Sequence, residues 1–168
     1  MNTDRTSPQD APLWGLNMLE WSLLAVVIVV LALVFARQVR VLQGQAELAA
    51  VRSTLGALRT ALIIDDLKQK VGGKSSSAAR LQRNPFELLQ RYPVNYRGVM
   101  TPFEEASAPA GSWVFEPACV CVGYVPIDEQ WFESPSGSGM AWYQLSGASG
   151  PVQLTAKEAY VWQNQAMN

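Results

Sequence analysis

A chain of 168 residues with 49% hydrophobic side chains, only 16% charged ones and a formal charge of -1 has room for one membrane segment and one modest domain. The near-neutral charge gives no basis for nucleic-acid binding. The absence of histidine removes the commonest general base and the commonest metal ligand, and nothing that remains calls for a cofactor.

Residues 1–15 are polar and carry Asp4, Arg5 and Asp10. They lead into GLNMLEWSLLAVVIVVLALVFARQ, residues 15–38, in which Trp21 to Ala36 contains no charge, no proline and no glycine. From Leu16 to Ala36 a helix would run about 31 Å, matching a hydrocarbon core of about 30 Å. Three readings compete. Val34-Phe35-Ala36 offers small residues for a signal-peptide cut after Ala36. A plain single-pass anchor is the second, and Arg37 and Arg40 would then draw the C-terminal part to the cytoplasm. Neither accounts for Glu20 at the mouth of the run, where a carboxylate drawn into lipid needs a partner.

Gly15 followed by Leu16-Asn17-Met18-Leu19-Glu20 resembles the processing site of type IV prepilins and type II secretion pseudopilins. The resemblance implies that a prepilin peptidase cuts after Gly15 on the cytoplasmic side and that Leu16 becomes an N-methylated terminus. It implies that Glu20, fifth in the mature chain, meets a neighbouring subunit's terminal amine during filament assembly. It also implies a set of partners, namely other pilin or pseudopilin subunits, an inner-membrane assembly platform and membrane lipid. Insertion with the short leader inside places residues 37–168 in the periplasm, and outside the cell once in a filament.

Past Ala36 the composition changes but the helical period does not. Leu48, Val51, Leu55, Leu58 and Leu62 fall three or four apart and predict an amphipathic helix packing on the chain's own domain. Arg52, Arg59 and Asp66 recur every seven residues on another face, and Gly44 and Gly56 weaken the helix without stopping it. One helix is expected from Leu16 to Lys70, ended by GGKSSS at 72–77. The division is a leader over 1–15, a membrane and assembly helix over 16–36, an amphipathic continuation over 37–71 and a globular head over 72–168.

In the head, Asn84 and Pro85 predict a capped short helix that Tyr92-Pro93 stops, with a turn following through Asn95-Tyr96. Trp113 and Phe115, then Val120, Val122 and Tyr124, alternate as two antiparallel strands around Pro117-Ala118. Residues 139–145 supply another strand, and 152–163 a further strand or a terminal helix. Helix first and antiparallel sheet afterwards gives an α+β head, which the resemblance makes pilin-like.

Little chemistry is expected. Cys119 and Cys121 read as two buried free thiols on one strand face. Asp65-Asp66 and Glu104-Glu105 read as solvated, and Ser75-Ser76-Ser77 lacks a histidine partner. Asp128, Glu129 and Glu133 bear oxygen ligands suited to calcium without the spacing of a recognisable loop. Trp113, Trp131, Trp142 and Trp162 read as core or interface residues. The expected role is structural, not enzymatic. A head with no disulfide-bounded loop favours a minor pilin or pseudopilin, and the rival is a bitopic protein whose head binds a partner without polymerising.

Overall fold

The computed structural model describes residues 17–72, 83–101, 108–147 and 152–167. A single helix, α1, spans Met18–Val71, 54 residues and about 80 Å at the standard rise. No proline interrupts it, Lys68 and Lys70 sit in its last turn where the helix dipole favours cations, and Gly72 N donates to Lys68 O where it stops. The chain divides within this helix into two compact units, Met1–Leu42 and Gln43–Asn168.

The second unit is α+β. Among the described residues eight strands follow the helix: β1 Tyr96–Val99, β2 Trp113–Glu116, β3 Cys121–Tyr124, β4 Phe132–Glu133, β5 Ala141–Ser146, β6 Gln153–Ala156, β7 Tyr160–Trp162 and β8 Gln165–Met167. They form a five-stranded sheet in the order β1-β2-β3-β5-β6 and a three-stranded sheet in the order β4-β7-β8. The alternation around Pro117-Ala118 gives the β2–β3 hairpin, with Trp113 opposite Tyr124 and Glu116 opposite Cys121. The expected wholly antiparallel sheet is corrected, because β1 runs parallel to β2 with Tyr96 beside Trp113. Residues 100–112 give the chain the dozen or so residues a parallel return requires. β1 begins at Tyr96, the last residue of the expected turn.

Strand periodicity explains why β2 and β3 are buried at every position. Side chains of one parity, including Trp113, Phe115, Val122, Tyr124, Tyr143 and Leu154, join the helix stripe Leu48, Val51, Leu55, Leu58 and Leu62 in one core. Those of the other parity, Val114, Cys121 and Trp142, gather with Met100 and Met140 in a second, smaller cluster. Gly123 lies between: a Cβ there would stand 2.6 Å from Trp142 and 2.9 Å from Val114, so the indole lies directly over the backbone. Residues 152–163 are strand in two pieces belonging to different sheets. The Tyr160 hydroxyl joins those sheets, accepting from Trp142 N at 2.9 Å and donating to Trp142 O at 3.2 Å. Gln163 and Asn164, both at positive φ, make the tight turn between β7 and β8.

Asn84 caps as expected, its Oδ1 accepting from Phe86 N, although the turn it starts at Pro85–Leu88 is 3-10. Asp66 corrects its expectation of solvent exposure. It stands four residues beyond Leu62, in line with the apolar stripe, is buried, and pairs with Lys70 at 2.7 Å.

Candidate functional site

The expected cleavage position, Gly15 and Leu16, lies outside the described residues, as do Glu104-Glu105 and Ser75-Ser76-Ser77. At Asn17 the helix end is organised by its backbone and the Glu20 side chain. Asn17 O accepts from Glu20 N and Trp21 N, while Asn17 N donates to Glu20 Oε2 at 2.8 Å. This is the return half of a capping box, the carboxylate three positions into the helix reaching back to satisfy a backbone N–H. Its charge also lies at the positive end of the helix dipole. Sequence reasoning identified Glu20 but not this local partner, which the spacing Asn17-x-x-Glu20 signals.

Beyond Glu20 every side chain from Trp21 to Ala36 is exposed, on all sides of the helix. Among the described residues one helix, near the N-terminus, is thus long and apolar enough to cross a membrane. Its backbone groups are satisfied within the helix, as lipid demands. Such a surface buries itself against hydrocarbon or against like helices.

From Gln43 the same helix meets the strands, and three of its contacts were not legible beforehand. Gly44 O accepts from the Trp162 indole at 3.2 Å, and a Cβ at Gly44 would fall 2.0 Å from the Gln163 amide nitrogen and 3.0 Å from Trp131. Gly44 stands four before Leu48, so it is a close-approach point on the packing stripe, not a mere weak spot. Glu47, only 7% exposed, accepts through Oε1 from the Tyr124 hydroxyl at 2.7 Å and from Ile127 N at 2.8 Å. Its Oε2 is buried without a hydrogen-bond partner, as is the Tyr143 hydroxyl. Burial pushes the Glu47 carboxyl up despite those two bonds, and Asp128 adds to the rise. Burial likewise raises Tyr124, and the Glu47 carboxylate reinforces it.

The arginines seven apart reach the outer strands of the two sheets. Arg59 Nε donates to Leu154 O on β6 at 3.1 Å, while Arg52 donates to Ala166 O on β8 and to Gln165 Oε1.

In the loops, Asp128 Oδ1 accepts from Gln130 N and caps the short turn Glu129–Trp131. Among the described residues no group of three or more Cys, Asp or Glu is placed to hold a metal ion. Glu158 anchors the 134–136 turn, accepting from Ser134 Oγ and Ser136 N, and these bonds hold its carboxyl below the ordinary range. Trp113 and Trp162 are fully buried, as core residues should be.

The free-thiol expectation is corrected: Cys119 and Cys121 are joined by a disulfide, with Cα atoms 5.2 Å apart. They do not sit on one extended strand. Cys119 belongs to the hairpin tip and Val120 between them has φ +55°, bending the chain so that the sulfurs meet.

Comparison of the chain with protein-family models, with curated proteins and with solved structures gives no match.

Proposed function

We propose that the chain is a pilin-like structural subunit, a minor pilin or pseudopilin, of a type IV filament or a type II secretion system. The observation that carries this reading is the exposed, charge-free helix surface of residues 21–36 entered through a single carboxylate, Glu20. A helix apolar on every side has more surface than packing on one domain requires, and like helices offer it a matching partner. The work is assembly, not catalysis: residues 16–36 wait in the inner membrane with residues 37–168 in the periplasm, and helices bundle as subunits are extracted. The Cys119–Cys121 disulfide encloses only Val120 and so bounds no surface loop, consistent with a minor or pseudopilin role.

Intact-mass analysis of the membrane-extracted protein tests the reading. A chain beginning at a methylated Leu16 is expected, with accumulation of the precursor in Gly15→Ala. A terminus at Arg37 would establish a cleaved signal peptide instead, and an uncut chain a plain anchor. The bond from Asn17 N to Glu20 favours the plain-anchor reading to this extent: it gives the carboxylate a task within one chain. In that case residues 43–168 are a partner-binding domain that does not polymerise.

A further inference from the structure

The β2–β3 hairpin tip contains a conflict between sequence and conformation. Val120 is β-branched and continues the alternation of Val122 and Tyr124, so its own preference is extended. Its backbone nevertheless lies in the left-handed region at φ +55°, where a β-branched residue is a true outlier. Val120 O already accepts from Leu145 N of β5 at 3.3 Å, so one more residue of β3 has half its pairing in place. What opposes extension is the covalent link between its two neighbours. An extended residue sets the flanking Cα atoms near the outer limit of disulfide reach, and the bend brings them to 5.2 Å.

The surroundings of the two sulfurs suit a second state. Glu116 Oε2 lies 3.1 Å from Cys119 Sγ, and Cys119 O lies 3.3 Å from Cys121 Sγ. Neither acceptor is needed by a disulfide, and each is placed to receive a hydrogen bond from a thiol. Cys119 is partly exposed at the tip, whereas Cys121 is fully buried beside Val114 and Trp142. One sulfur is accessible to attack and the other is not.

We propose that Cys119–Cys121 is a reversible thiol–disulfide exchange site whose substrates are thiols, and whose two redox states differ in the backbone of Val120. A thiolate attacks Cys119 Sγ, its sulfur bonds to Cys119, and the Sγ–Sγ bond breaks with its electron pair leaving on Cys121, which takes a proton from solvent. A second thiolate attacks the external sulfur of the mixed disulfide and expels Cys119 as a thiolate, which is protonated in turn. Two thiols are oxidised to one disulfide and the protein gains two S–H groups. Val120 is then free to extend β3. This inference is independent of the filament reading.

The experiment is equilibration of the full-length protein, in detergent and without denaturant, against glutathione buffers graded in the ratio of squared reduced to oxidised glutathione. Acid quenching, thiol alkylation and intact-mass counting of the two cysteines follow. The native protein should interconvert fully and return to the disulfide when oxidised glutathione is restored. Val120→Gly removes the penalty of the left-handed conformation in the bonded state alone, so its midpoint should move about tenfold towards more reducing ratios. A bond that resists excess reduced glutathione until the protein is unfolded would overturn the proposal, as would cysteines that stay reduced under oxidised glutathione. An unshifted midpoint in Val120→Gly would overturn the coupling to Val120.

Discussion

Replacing Glu47 by Gln should change how the stability of the head depends on pH, and the direction follows from the geometry. In the folded chain the carboxyl is buried with one oxygen paired twice and the other unpaired, and its pKa is raised above the unfolded value. The folded state therefore binds the proton more tightly than the unfolded one. Its contribution to stability is fully present below the ordinary carboxylate pKa and is lost as pH rises through the raised folded value. Within that window one proton's difference is worth at most about 1.4 kcal/mol per pH unit. For a unit the size of residues 43–168 this corresponds to roughly 5 °C in Tm per pH unit.

Gln keeps an oxygen for the Tyr124 hydroxyl and for Ile127 N, but places an unpaired amide where Oε2 was, costing about 1–3 kcal/mol. The variant should thus melt below the native protein at pH 4.5, and the gap should close as pH rises towards 8. The measurement is Tm by tryptophan fluorescence of both full-length proteins in detergent, taken as a difference at each pH. Subtraction removes the opposite contribution of Glu158, whose lowered pKa makes its stabilisation fade as pH falls. Two results would refute the reasoning. A gap that widens with pH would mean that the two donated bonds outweigh burial, and a constant gap would mean that Glu47 titrates alike in both states.

Leu58, fully buried in the helix–sheet core, should cost about 3 kcal/mol when cut back to Ala, a fall of roughly 12 °C in Tm by the same scaling. A change under 3 °C in the same thermal assay would place the stripe outside the cooperative core. For Glu20, Gln retains an acceptor for Asn17 N but removes the charge, whereas Ala removes both. Inter-subunit crosslinking at matched membrane levels should fall in Glu20→Gln, and equal crosslinking would remove the electrostatic docking role.

The helix was legible because its signals are local: no proline, and apolar residues three and four apart from Leu48 to Leu62. Strands β2, β3 and β5 were legible for the same reason, since alternation needs no knowledge of the partner. What escaped depends on contacts distant in sequence. Gly44 looks like a weak helix position until the Trp162 indole is seen on its carbonyl. Glu47 looks like a solvated charge until Tyr124 is placed over it. The parallel sense of β1 lies in its pairing with β2, not in Tyr96–Val99 themselves. Val120 misled because its side chain reports an extended preference that the bond across it overrides. At the N-terminal end of α1, Glu20 was found from its place before the apolar run, whereas the cap it forms with Asn17 follows from helix termini in general.

That cap alters the energetics of any docking at Glu20. A carboxylate buried alone would gain the full stabilisation of a desolvated pair on meeting an amine, and breaking such a pair costs about 3–5 kcal/mol. In this chain Oε2 already accepts from Asn17 N at 2.8 Å, and the helix dipole already favours its charge. Each of the first backbone N–H groups of a helix in lipid carries a desolvation penalty of its own. A neighbour's amine taking the carboxylate over would leave Asn17 N in need of another acceptor. Docking is then an exchange of partners, and its free energy is the difference between two bonded states. On the proposed assembly, the exposed apolar side chains of residues 21–36 would supply the balance of the affinity, and Glu20 would set register more than strength. A carboxylate at the entrance to this apolar helix is tolerable because the helix end holds it, and it would serve docking because that hold is weak enough to be exchanged.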